Sequence, residues 1–126
     1  MKAILDTSVV VAPEIGHLAG DLAVSTITVA ELHFGILIAK QPEIRAERLR
    51  RLLTLQRQFD PLPVDGSVAA SYGQIAAAVV HAGRQPRARS LDLLIAATAH
   101  AHGACLYTRN MSDFRGLAGI VDVIEV

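Results

Sequence analysis

Four acidic residues carry chemical possibilities that the rest of the chain must organise: Asp6, Glu31, Asp92 and Asp113. Each also has a purely local explanation. Asp6 can cap the short helix that should follow it, and Thr28-Val-Ala-Glu31 is a capping box by pattern. Ser90 can cap a helix with Asp92 in its first turn, where a negative charge suits the dipole. Asn110 and Asp113 repeat the cap-plus-three spacing. Joint geometry favours more than capping. Asp6 and the turn Thr108–Asp113 each follow a predicted strand at its carboxyl end, where parallel α/β sheets bind ligands. Asp92, set among Leu91, Leu93, Leu94 and Ile95, has no broad polar face to join.

Carboxylates gathered in one cleft repel: two unit charges about 4 Å apart interact by roughly 4 kcal/mol at an effective dielectric of 20. Protonation or a bound cation must relieve that. Oxygen-only ligation points to Mg²⁺ or Mn²⁺ over Zn²⁺. Such a site suits phosphodiester hydrolysis, with a metal polarising the phosphoryl group and a carboxylate orienting the attacking water. Ser8, Thr108 and Asn110 lie where they can hold ligands or phosphate oxygens, or serve only as local turn and cap groups.

The elements that would position these residues follow from pattern. Lys2 to Asp6 is an apolar run ending in an acid, then Thr7 and Ser8 open a short helix through Val11, broken around Pro13 to Gly16. Leu22 to Ser25 is a second strand, and Thr26 or Thr28 opens a helix with Val29, Leu32, Ile36 and Ala39 on one face. Pro42 starts a helix over Glu43 to Phe59. Its apolar side is Ile44, Leu49, Leu52, Leu53 and Leu55. Arg45, Arg48, Arg51 and Arg57 form a solvated side with Glu43 and Glu47 as partners. Pro61 and Pro63 frame an extended segment, Leu62 to Val64, predicted as a third strand. Ser67 to Ala82 is helical, Gly83 to Arg89 a basic loop, Leu91 onward a helix stopped by Gly103, and Ala104 to Tyr107 a buried strand. Gly119 to Val126 closes the sheet. This order predicts an α/β fold in a single domain over 1–126: a central, mostly parallel twisted sheet of about four to five strands with helices on both faces.

Composition narrows the function. With 52% apolar and 19% charged residues, zero formal net charge and no Trp, the chain is neither a globally basic nucleic-acid binder nor an aromatic stacking platform. Arg84, Arg87 and Arg89 form a local basic cluster, close before Asp92, suited to the phosphates of a nucleic acid. The single Cys105 suits a reducing compartment and reads as a buried, inert thiol. Asp6 interrupts the apolar N-terminus before it reaches signal-peptide length, and no apolar run approaches a membrane span, so a cytoplasmic domain without membrane contact is expected. His100 and His102 are two apart on a helix and point in different directions, against a shared zinc. His33 and His81, in apolar helices, read as core-edge or interface residues.

Three stretches together, ILDTSVV, STITVAELHFG and DLLIAATAHAHGACLYTRNMSDF, resemble the PIN-domain endoribonucleases, specifically the VapC toxins of bacterial VapBC toxin–antitoxin pairs. Length and motif order match over essentially the whole chain. The resemblance implies a PIN-like domain with an acidic metal site on Asp6, Glu31, Asp92 and Asp113 and small polar companions at Ser8, Thr108 and Asn110. It further implies Mg²⁺- or Mn²⁺-dependent RNA cleavage, a homodimer, and inhibition by a cognate VapB-type antitoxin. Arg115 stands where some relatives carry a further acid. The alternative is a catalytically silent PIN-like module acting only through protein partners. Receiver and haloacid-dehalogenase phosphotransfer folds also place acids at strand ends. They need a late lysine, and here the only lysines are Lys2 and Lys40.

Overall fold

The computed structural model describes residues 1–12 and 17–126, so the expected helix break at Pro13 to Gly16 lies outside the described residues. Its core is a four-stranded sheet of β1 (Lys2–Leu5), β2 (Asp21–Val24), β3 (Cys105–Thr108) and β4 (Val123–Glu125), in the order β2-β1-β3-β4. Every pairing is parallel. Among the described residues five helices accompany it: α1 (Thr7–Val10), α2 (Thr26–Ile38), α3 (Pro42–Gln58), α4 (Gly66–His81) and α5 (Ser90–Ala101).

Alternation along the strands divides the interior in two, because successive side chains leave a strand on opposite faces. Ile4 and Leu106 join Ile75, Val79, Leu93 and Phe114 on one side. Ala3, Leu5, Cys105 and Tyr107 join Val9, Leu32, Leu52 and Leu55 on the other. Both faces are therefore covered, as a parallel sheet requires. Helix α5 is the most deeply embedded, with Leu93, Ile95, Ala96, Ala97, Thr98 and Ala99 all buried. Its alanines allow close approach to α4, and the Thr98 hydroxyl is satisfied by the Leu94 carbonyl at 2.9 Å. Gly103 ends this helix region at φ +61°, a conformation that suits glycine, and turns the chain into β3.

Several local expectations are corrected. Leu62 to Val64 is not a strand: Leu62 makes a single parallel bridge to Ser25. Its amide donates to Val24 O and its carbonyl accepts from Thr26 N, and the pairing stops there; Pro61 and Pro63, at the alternate positions that face away from β2, are tolerated at this edge without amide protons. The closing strand is only Val123–Glu125, because Leu117 O accepts from both Ile120 N and Val121 N in a turn before it. The basic loop contains a 3₁₀ turn at Pro86–Arg89, and the helix expected around Asp113 is the 3₁₀ turn Met111–Phe114.

The arginine side of α3 is largely exposed, as expected, but among the described residues no ion pair joins it to Glu43 or Glu47. Arg45 donates to Leu37 O and Ala39 O, Arg48 to Gly35 O and Arg51 to Val11 O. These guanidinium groups meet carbonyls near the ends of α2 and α1, where the helix dipole favours a cation. Of the apolar side of α3, Leu52 and Leu55 are buried, whereas Ile44, Leu49 and Leu53 stay exposed. His33 and His81 are also exposed, away from the core's edge.

Candidate active site

Asp6 leaves the carboxyl end of β1 and is 4% exposed. Its carboxylate does cap α1, Oδ1 accepting from the Val9 amide at 3.1 Å. It does more than that. The Ser8 hydroxyl donates to Oδ1 and the Thr108 hydroxyl to Oδ2, each at 2.5 Å. Ser8 Oγ in turn accepts from Arg109 N at 3.0 Å, and Thr108 Oγ1 from Asn110 N at 2.9 Å. The chain ends of β1 and β3 are thus stitched together through one carboxylate. In the order β2-β1-β3-β4, connections leave β1 toward opposite sides, so this is also the sheet's switch point.

Glu31 comes from the second turn of α2. The helix is capped by Ser25, whose hydroxyl oxygen accepts from Ile27 N at 3.0 Å, so the expected capping box at Thr28 is not formed. Thr28 is buried inside the first turn instead, and Glu31 faces α1. Thr7 Oγ1 lies 2.6 Å from Glu31 Oε1 and 3.1 Å from Thr28 Oγ1, and its single proton goes to the nearer, charged acceptor.

Asp92 lies in the first turn of α5, as expected, but Ser90 is not the cap. Ser90 is already helical, and its hydroxyl donates to Arg87 O at 2.8 Å. Arg89 occupies the cap position and reaches outward. Its Nη1 lies 2.6 Å from Asp113 Oδ1 and 3.9 Å from Asp92 Oδ2. Asn110 does not cap the turn at Asp113 with its side chain; the Asp113 amide donates to the Asn110 carbonyl at 3.0 Å.

The other three acids all act on Asp92. Burial first, then the charges of Asp113, Glu31 and Asp6, push the Asp92 carboxyl up to about 6, while Arg89 pulls it down. A helix N-terminus would by itself hold a carboxylate low, so desolvation and like charge win here. The acids nonetheless do not close on a common point. Among the described residues no group of three or more His, Cys, Asp or Glu side chains is arranged to hold a metal ion. Glu31 is turned to Thr7, and Asp113 to Arg89. The donor set itself, four carboxylates backed by hydroxyls, matches hard divalent cations.

Two participants are not marked for these roles by sequence: Thr7, the hydroxyl on Glu31, and Arg89 as the partner of Asp92 and Asp113. Thr7 follows Asp6 directly, which is the one signal that could have marked it. Beside Glu31 runs a groove of about 330 Å³ lined by Thr7, Leu32, Gly35, Arg48 and Arg51 among others. A hollow of about 990 Å³ over Met111 to Val123 touches none of the four acids. Among the described residues no helix is long and apolar enough to cross a membrane.

A parallel sheet with acids at its carboxyl edge and helices on both faces is the arrangement of a known family. Residues 3–119 match the PIN domain family, and the chain belongs to it. Within that family it is similar to Mycobacterium tuberculosis ribonuclease VapC5, 34% identical over 98% of this chain and 94% of that one. Ribonuclease VapC4 of the same organism is 33% identical over 99% and 97%. Among solved structures it resembles VapBC-5 of M. tuberculosis, a member of the VapBC family of toxin–antitoxin systems, with a TM-score of 0.85 and 32% identity over 99% of this chain and 97% of that one. FitAcB from Neisseria gonorrhoeae gives a TM-score of 0.78 at 29% identity over 97% and 96%.

Proposed function

We propose that this chain is a divalent-metal-dependent endoribonuclease and the toxin of a VapBC-type toxin–antitoxin pair, acting in the cytoplasm. The observation that carries the reading is the gathering of Asp6, Glu31 and Asp113 around a half-buried Asp92 at the carboxyl edge of the sheet, where burial first and then their charges lift Asp92 to about 6. A structural cap has no need of such crowding, whereas a site that recruits a cation does. The names of the relatives, ribonucleases VapC5 and VapC4, support the same activity.

In this reading the four acids hold Mg²⁺ or Mn²⁺, which supplies phosphoryl polarisation and a more acidic water when bound. Ser8 and Thr108 fix the rotamer of Asp6, and Thr7 that of Glu31. Asn110, exposed at the mouth of the site, is placed to meet a phosphate or sugar oxygen. Arg84, Arg87 and Arg89 present charge to the RNA backbone from the loop before α5. Phe34, Leu37 and Ile38 leave an exposed apolar face on α2, suited to a VapB-type antitoxin, and we infer a homodimer as the working form.

The test is cleavage of RNA by the purified chain with Mg²⁺ or Mn²⁺, against EDTA and against Asp6→Asn. Metal-dependent cleavage lost in the variant, together with growth arrest on expression that Asp6→Asn relieves, is the expected result. Equal cleavage by the variant would remove Asp6 from the chemistry, and none by the native chain would leave the silent binding module.

A further inference from the structure

The two ion pairs among the described residues are both made by Arg89, and both with acids of the candidate site. That is selective in a chain with 12 basic and 12 acidic residues. One nitrogen, Nη1, makes both contacts, at 2.6 Å to Asp113 and 3.9 Å to Asp92, so a single positive centre sits between two carboxylates from different elements. Pro86 opens the turn that carries Arg89, and Ser90 ties back to Arg87 O, which sets where the side chain departs. The Arg89 side chain is 51% exposed, against 28% for Asp92 and 22% for Asp113. The acids are held in the protein, whereas the guanidinium has water to return to.

We propose that Arg89 is a built-in counter-ion that occupies the Asp92–Asp113 pair in the metal-free chain and competes with the divalent cation for it. The inference rests on the metal-dependent reading above and adds a regulatory element to it. Arg89 neutralises part of the acidic cleft before loading and withdraws when a divalent ion takes its place. It is then released a few ångströms from the site with its charge free for an RNA phosphate, so metal loading and substrate binding reinforce each other. Arg89 is here a positioning residue, acting through the two acids.

Manganese binding to the full chain, followed by calorimetry without RNA, reads the competition directly. Arg89→Gln should bind Mn²⁺ about fivefold more tightly than the native chain, the scale of one partly exposed ion pair removed as competitor. Arg89→Lys, which keeps the charge, should remain within about twofold of native. Unchanged or weaker binding by Arg89→Gln overturns the proposal, while measurable native affinity would leave the metal site itself standing. Absence of Mn²⁺ binding to the native chain sinks both. An NMR titration of the native protein needs no variant: the Arg89 side-chain Nε–H resonance should move to its free position as Mg²⁺ saturates. A resonance that stays put at saturation refutes displacement.

Discussion

Thr108 Oγ1 donates to Asp6 Oδ2 at 2.5 Å, joining residues 102 positions apart at the ends of the two central strands. Asp6 is almost wholly buried, so its charge depends on such donors, and the second oxygen has Thr108 as its protein donor. Thr108→Val keeps the shape and removes the hydroxyl. The expected cost is about 1–3 kcal/mol, the penalty for an unsatisfied buried charged acceptor, while Thr108→Ser should retain most of the stability. Urea unfolding of the three proteins decides it, and a valine variant as stable as the native chain would contradict the account.

Asp92 makes stability depend on pH in an unusual direction. Its carboxyl titrates near 6 in the fold, against 3.8 for the unperturbed group. Between those values the folded chain binds more protons than the unfolded one, so stability falls as pH rises from about 4 to about 6 and stays reduced above. Asp92→Asn removes the ionisation. Without metal at pH 7.5 it should be about 1–3 kcal/mol more stable than native, since each pH unit separating the folded and unfolded titrations is worth about 1.36 kcal/mol. It should also vary less across that pH window. Parallel stability profiles for the two proteins would count against the raised titration of Asp92.

What sequence made legible was whatever is local along the chain. Asp6 as both strand end and cap, the glycine stop at Gly103, and the apolar face of α2 are decided by near neighbours, and the structure has all three. The four acids stood out in the sequence because each lies near a strand exit or a helix start. Their real partners were not. Thr7 meets Glu31 24 residues away, and Arg89 meets Asp113 at the same separation, contacts that no periodicity encodes. For the same reason the spacing of the α3 arginines points to glutamates one turn away, when the fold offers carbonyls at neighbouring helix ends. The third strand failed differently. An extended, apolar Leu62 is what the prolines favour, but extended backbone alone does not make a ladder, and the pairing ends at the single bridge to Ser25.

Arg84 and Arg87 are exposed in the loop leading to α5. Replacing both with Gln, in an Asp6→Asn background that leaves the RNA intact, should weaken RNA binding and flatten its salt dependence. For single-stranded RNA each lost phosphate contact lowers the slope of log K against log salt by about 0.7, so the pair should lower it by about 1.4. Filter binding across a salt series measures this. An unchanged slope would move the RNA path elsewhere on the surface.

Leu37 is 72% exposed near the end of α2, beside exposed Phe34 and Ile38. Such a patch is costly to keep in water unless something covers it. Leu37→Lys places a cation near a helix C-terminus, where the dipole accepts it, so folding stability should change by less than about 0.5 kcal/mol. Binding of a VapB-type antitoxin should weaken by about tenfold or more, the loss typical of a central apolar contact in a protein interface. Calorimetry with a VapB-type antitoxin reads the second quantity and thermal unfolding the first. If the variant unfolds as native and binds as native, α2 is not the face the partner covers, and the groove beside Glu31, lined by Arg48 and Arg51, becomes the surface to test next.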